Sequence, residues 1–277
     1  MNIFTPVWGY KNQKLLKTAL GKCLSWPKNK AAVKDATWHI VTDSELSANE
    51  AWQTILSLGI GNRVSFYISP LLARPDTDKG VLILNELLKV IETCLTTNEP
   101  LLMATPDFIY GEGTIDAFKK AGNKPGSCVA IPHIRVCPEI TDQLSSASPG
   151  NDQLVAIALK NAHISWTDSE DTTEDSRTYR SAILWRKLQD KLYSVQHVMP
   201  SPFFVNFLKE DLDYLKIPHD NRLPGFGAWD HKWPKYLIEQ GRRRIIGSSD
   251  VALMVEVTDH DANVPPLDPP NKPATFF

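Results

Sequence analysis

The feature that most constrains this chain is a regular alternation in its first half of short apolar runs with longer amphipathic stretches. Asn2–Val7 reads as a strand ending in Trp8-Gly9, and Leu15–Leu24 as a helix stopped by Trp26-Pro27. Thr37–Thr42 (TWHIVT) is a second strand closed by Asp43, Ser47–Leu58 a helix, and Arg63–Ile68 (RVSFYI) a third strand. Gly80–Leu95 is the longest clean helix, before a fourth strand at Leu101–Thr105 that ends in Pro106-Asp107. Strands at period two alternating with helices at period 3.6 predict a largely parallel sheet covered by helices.

The pattern then loosens. Thr114–Ala121 is predicted helical, Ser127–Ile134 is a fifth strand, and Asp152–His163 and Arg180–Tyr193 are helices. The acidic segment Asp168–Arg177 is too polar to join a core and is expected as an exposed loop. Trp233–Gln240 has helical character, Val251–Val257 (VALMVEV) reads as a buried strand, and Pro265–Phe277 is a proline-rich tail. The expected organisation is one domain over residues 1–260, divided into halves at 1–135 and 136–260, with a tail at 261–277.

Charge and cysteines exclude several classes. Lys+Arg number 30 against 32 Asp+Glu, without the basic surplus of a nucleic-acid binder. The N-terminal MNIFTPVWGY lacks the layout of a signal peptide, and no apolar run approaches the ~20 residues of a membrane span. Cys23, Cys94, Cys128 and Cys137 form no CxxC pair, so the thiols read as reduced and the protein as cytoplasmic.

In open parallel sheets, ligands bind beyond the carboxyl ends of the strands, where loop amides and helix N-termini converge. The residues there are Thr5, Pro6, Val7, Trp8 and Gly9 after the first strand, and Asp43 after the second. Arg74, Asp76 and Lys79 follow the third strand, Asp107 and Glu112 the fourth. Carboxylates, two basic residues and an aromatic on one edge suit a base, a ribose and a diphosphate. Neither GxxxxGK[ST] nor GxGxxG is present, so the phosphates would be held by a cation and side chains instead. Asp107 is the first candidate to ligate Mg2+ or Mn2+; its plainer reading is a turn residue after proline.

A second constellation is Gly225-Phe226-Gly227-Ala228-Trp229-Asp230, just before the Trp233–Gln240 helix. Asp230 there could accept a proton from a hydroxyl nucleophile, or simply cap the helix. His197 is a candidate third metal ligand or phosphate contact, against an ordinary hydrogen-bonded histidine. Arg242, Arg243 and Arg244 read as a solvated helix end or a phosphate contact. Trp8, Trp229 and Trp233 could stack on a sugar or a base.

At these residues the chain resembles the GT-A glycosyltransferases. ARPDTDKGVLILNELL (Ala73–Leu88) is similar to the segment that leads into that family's metal-binding strand. LLMATPDFIYGEGTI (Leu101–Ile115) stands in place of its DxD motif, and GFGAWDHKWPKYLIEQGRRR (Gly225–Arg244) resembles its glycine-aromatic-glycine segment. PDF replaces DxD, leaving Asp107 alone, and Trp229-Asp230 replaces an acidic pair. The resemblance implies an α/β, GT-A-like half-Rossmann fold with a mainly parallel central sheet flanked by helices. It implies a UDP- or other NDP-sugar donor held by Thr5, Pro6, Val7, Trp8, Asp43, Arg74, Lys79 and Asp107. It further implies Mn2+ or Mg2+ near Asp107 and Asp230 near the acceptor, as its base; His197 is added as a metal ligand from its own reading above. The acceptor is left open among a saccharide, a protein side chain, a small metabolite and a hydroxylated DNA base. The alternatives are a nucleotidyltransferase and a non-catalytic nucleotide- or saccharide-binding module.

Overall fold

The computed structural model describes residues 1–145, 147–163, 203–217 and 232–260, with 183–189 and 192–197 as backbone. The chain is α/β, built on a mainly parallel seven-stranded sheet flanked by helices. Its strands are β1 (Asn2–Pro6), β2 (Thr37–Thr42), β3 (Arg63–Ile68), β4 (Leu101–Met103), β6 (Cys128–Ala130), β10 (Phe204–Val205) and β11 (Arg243–Ile245). They lie in the order β11-β6-β10-β4-β1-β2-β3, and only β10 runs against the rest. The sequence β3-β2-β1-β4 is one half of a doubly wound sheet. A smaller sheet, in the order β5-β12-β7, joins β5 (Phe108–Tyr110), β12 (Met254–Val257) and β7 (His133–Val136).

The helices follow from local chemistry. Residues 9–24 form a continuous run, α1, with a π-helical turn at Leu16–Leu20 between Gly9–Leu15 and Gly21–Leu24. α2 (Pro27–Val33) begins with proline, whose missing N–H costs nothing in a first turn. α3 (Glu45–Leu58) is capped by Ser44, which accepts from Ser47 N at 3.2 Å, and ends at left-handed Gly59. α4 (Lys79–Thr97) is capped by Asp78, which accepts from Val81 N at 3.1 Å. α5 (Thr114–Ala121), α6 (Ile140–Gln143), α7 (Asn151–Lys160), α8 (Lys209–Lys216) and α9 (Trp233–Glu239) follow among the described residues.

Two apolar clusters stabilise the sheet. Ile3, Val7, Leu16, Leu20, Trp26 and Trp38 pack with α1 and α3 on one side, while Phe4, Val41, Val90, Ile91 and Trp233 belong to the other cluster. Trp26 and Trp38 are fully buried, each contributing roughly 4–6 kcal/mol of gross transfer free energy. The Trp38 indole donates to Ile60 O at 3.1 Å, so its one polar atom is satisfied. A Cβ on Gly21 would lie 2.5 Å from Leu16 O and 2.7 Å from Leu58 Cδ1, so glycine is what lets α1 approach α3.

Three sequence expectations are corrected. Ser127–Ile134 is not one strand: it divides around Ile131-Pro132 into β6 and β7, which join different sheets, and proline has no N–H to give a ladder. The described part of Arg180–Tyr193 is not helical. β8 (Ile183–Gln189) and β9 (Leu192–His197) form an antiparallel hairpin, with Trp185 opposite Val195 in the backbone register, so strand pairing overrides the helical spacing. The arginine run is not a solvated helix end, because α9 stops at Glu239 and Arg243 and Arg244 lie in β11, beside β6. Asp168–Arg177, Gly225–Asp230 and Pro265–Phe277 lie outside the described residues.

Candidate functional site

The carboxyl ends of β1, β2 and β4 are in register, which sets the residues beyond them side by side. Val7 N donates to Val41 O at 2.7 Å, and Ala104 N donates to Phe4 O at 2.9 Å. The turn after β1 therefore lies between Asp43, past β2, and Thr105–Asp107, past β4. Of the strand-end residues expected to face a donor, Thr5, Pro6 and Val7 are buried, and Val7 belongs to the core. A ligand would meet backbone there at most. Trp8 is the first side chain at this edge that is partly open.

Asp43 accepts from Gly9 N at 3.2 Å and thereby ties the start of α1 to the end of β2. Burial alone would raise its carboxyl, but hydrogen bonds from Ser47, Gly9 N, its own amide and Thr42 together hold it below its ordinary value. It stands at the rim as an anion. The Lys79 ammonium lies 6.0 Å from the Trp8 ring centroid, at cation–π range. Arg74 and Asp76 are exposed on the same crossover, between β3 and α4. Asp43, Trp8 and Lys79 thus form a connected set, with Arg74 nearby in sequence.

Asp107 is placed differently from an open rim carboxylate. Phe108 N donates to Thr105 O at 3.1 Å, so Pro106-Asp107 does form a turn, and Val257 N donates to Asp107 O at 2.8 Å. The side chain is partly buried, with Oδ1 sealed from solvent. Burial raises its carboxyl to about 6, with repulsion from Glu256 adding and the Thr105 hydroxyl and His133 offsetting part. Asp107 Oδ1, Thr105 Oγ1 and Thr258 Oγ1 are sealed from solvent without a partner at full hydrogen-bond geometry.

Glu256, His133 and Arg135 were not singled out by sequence reasoning. Glu256 Oε2 lies 2.6 Å from His133 Nε2 and 2.8 Å from Arg135 Nε. Burial would raise Glu256, but contact with His133 and Arg135 outweighs it and lowers the carboxyl to about 2. The Phe108 and Phe203 rings stand nearly perpendicular to His133 at centroid distances of 5.5 and 6.3 Å. The signal was available: VALMVEV holds one carboxylate in an apolar strand, and HIRV spaces His133 and Arg135 at period two, onto one face.

Other expected residues fall elsewhere. Glu112 Oε1 accepts from Lys28 N at 2.6 Å, at the start of α2, and so serves the fold. His197 ends β9, paired with Ile183. Asp230 and Trp229 lie outside the described residues. Arg242 makes a two-pronged bond to buried Asp211, Nη1 to Oδ1 at 2.9 Å and Nη2 to Oδ2 at 2.5 Å. Trp233 is fully buried and donates to Asp211 Oδ1 at 3.3 Å, so it packs and does not stack on a ligand.

Asp107 offers a carboxylate oxygen, Oδ1, that is sealed from solvent, with the Thr105 hydroxyl as its neighbour. That donor chemistry fits a hard cation held by one carboxylate and completed by substrate phosphate oxygens.

Neither a protein-family model nor a curated protein matches the sequence. Among solved structures, the chain is similar to S. aureus TarS at 13% identity and a TM-score of 0.31, over 49% of this chain and 22% of that one. Mouse xyloside xylosyltransferase 1, apo form, aligns at 15% identity and a TM-score of 0.30, over 50% of this chain and 53% of that one. The chain thus spans between about a fifth and a half of these proteins' lengths. Overlays this loose carry no weight for activity, and the site's own residues bear the reading that follows. Among the described residues, no helix is long and apolar enough to cross a membrane.

Proposed function

We propose that the chain is a GT-A-like glycosyltransferase that moves a sugar from a nucleotide-sugar, a UDP-sugar in the first instance, to a hydroxyl acceptor. The observation that carries this reading is the shared rim of β1, β2 and β4, with Asp43 bonded to the start of α1 and Lys79 set over Trp8. An aromatic face, an anion able to accept from ribose hydroxyls and a cation able to meet phosphate are what a nucleoside diphosphate needs. Trp8 would take the base or sugar face, Asp43 the ribose, and Lys79 and Arg74 the diphosphate.

Asp107 would hold Mg2+ or Mn2+, and His197 is kept as a second ligand on its sequence position alone. A divalent cation there supplies charge neutralisation for the departing diphosphate. Asp230, three residues before α9, would accept the acceptor hydroxyl's proton. The acceptor oxygen then bonds to the anomeric carbon, and the bond from that carbon to the phosphate oxygen breaks with its electron pair on the diphosphate. The acceptor is a saccharide, a protein side chain, a small metabolite or a hydroxylated DNA base.

A donor-hydrolysis assay tests the reading. Release of free sugar from a nucleotide-sugar, abolished in Asp230→Asn, supports it. Pyrophosphate release from a nucleoside triphosphate would instead make the chain a nucleotidyltransferase. The enclosure of Asp107 favours a second reading, a binding module without turnover; donor binding with neither product would establish that one.

A further inference from the structure

The segments that leave β7 and β12 run side by side, because those strands are parallel neighbours with Val136 opposite Val257. Beyond them, Cys137 Sγ, a carboxylate oxygen of Glu139 and an imidazole nitrogen of His260 all lie within 4.8 Å of one another. His260 Nε2 is 2.7 Å from Glu139 Oε1. The catalytic scheme above uses none of the three.

Backbone bonds fix the chain on both sides of this cluster. Cys137 N donates to Asn161 O at 2.7 Å, and Ile140 N and Thr141 N turn back to Cys137 O and Pro138 O at 3.3 and 3.1 Å. On the other side, Thr258 N donates to Val136 O at 2.8 Å, and buried His163 holds Asp259 O through Nε2 at 3.0 Å. Lys11 pairs with the Asp259 carboxylate. The backbones that carry the three side chains are therefore held, while two of the side chains, Glu139 and His260, are exposed and paired with each other. A cavity of about 270 Å³ opens beside them, with Lys11, Lys14, Thr141 and Glu139 in its wall.

We propose that Cys137, Glu139 and His260 form a binding site for a zinc-class divalent cation. A thiolate, an imidazole and a carboxylate are the mixed donor set that borderline-soft Zn2+ takes, whereas Mg2+ and Mn2+ favour oxygen ligands. Tetrahedral coordination would bring the donor atoms to about 3.3–3.6 Å from one another. Starting from 4.8 Å or less, side-chain rotation alone can make that change. Three protein ligands would leave a fourth position for water or a small anion. Bound metal would pin the segment after β12 to the turn after β7. Cys137 is also the only accessible thiol: Cys23, Cys94 and Cys128 are 0–2% exposed.

The test uses the full chain, freed of metal and titrated with Co2+ and with Zn2+. One equivalent is expected to bind with a thiolate-to-Co2+ charge-transfer band, undisplaced by excess Mg2+. Cys137→Ser is expected to lose the band, and His260→Ala and Glu139→Gln to bind Zn2+ more weakly. Each variant should keep the metal-free melting temperature, because none of the three is buried. Absence of a stoichiometric site, or Zn2+ binding unchanged in both Cys137→Ser and His260→Ala, would overturn the proposal.

Discussion

The Asp107 carboxyl is held beside Glu256 by the ladder of the small sheet, where Val257 N donates to Asp107 O at 2.8 Å. The two carboxyls interact electrostatically, and their surroundings push them apart, Asp107 up to about 6 and Glu256 down to about 2. Glu256 is bonded to Arg135 and His133 and ionises first. Asp107 then has to ionise against it.

Stability should follow from that split. A carboxyl raised from 3.8 to about 6 imposes no penalty below 3.8, a growing one between the two values, and its full penalty above about 6. Asp107→Asn is therefore expected to melt higher than the parent at pH 7–8, with the gain gone near pH 4. Melting temperature against pH for both proteins checks this. A lower melting point for the variant at pH 8 would refute the enclosure as described.

Glu256→Gln should do the opposite. Glu256 is lowered from 4.5 to about 2, so its contribution is complete above 4.5 and lost as pH falls toward 2. The variant leaves Arg135 without its charge partner in a mostly buried site, at a cost on the order of 3 kcal/mol at neutral pH. Denaturant unfolding at pH 7 measures it.

Asp211 is fully buried and bonds Arg242 with both carboxylate oxygens, while Leu208 N donates to Oδ2 at 2.8 Å and the Trp233 indole to Oδ1. This carboxylate joins α8, the start of α9 and the approach to β11. Asp211→Ala is expected to cost roughly 3–5 kcal/mol. Arg242→Lys should also destabilise, because an ammonium cannot reproduce the planar fork. Unfolding curves that superimpose on the parent's would contradict this role.

Much of the fold was legible, and the reason is local. β2, β3 and α5 end where apolar periodicity and turn residues end, so Thr37–Thr42, Arg63–Ile68 and Thr114–Ala121 needed no tertiary information. β10 was not legible: two residues, Phe204 and Val205, are too short to show a period, and they form a strand only because β4 and β6 flank them. Of the candidate site, Trp8, Asp43 and Lys79 follow directly from strand ends. The electrostatic coupling of Asp107 to Glu256 does not, because it depends on pairing β5 with β12 across more than 140 positions of sequence.

His39 gives a separate acid signature. It is buried, with Nε2 2.9 Å from Asn2 Oδ1 and Nδ1 3.1 Å from the Tyr67 hydroxyl, and burial lowers it to about 4. The unfolded chain takes up this proton first, so stability should fall as pH drops from 6.5 to about 4. His39→Gln is expected to flatten that part of the profile; an unchanged slope would contradict the assignment.

The central claim, that the rim around Trp8 and Asp107 binds a nucleotide-sugar, is tested most directly by melting curves across a panel of nucleotide-sugars with and without Mn2+. At least one donor is expected to raise the parent's melting temperature by mass action, more strongly with Mn2+. Trp8→Ala should weaken that donor roughly tenfold, as expected for loss of a stacking partner, and Asp107→Asn should lose the Mn2+-dependent part. If no donor shifts the transition, or if both variants respond as the parent does, the site is elsewhere.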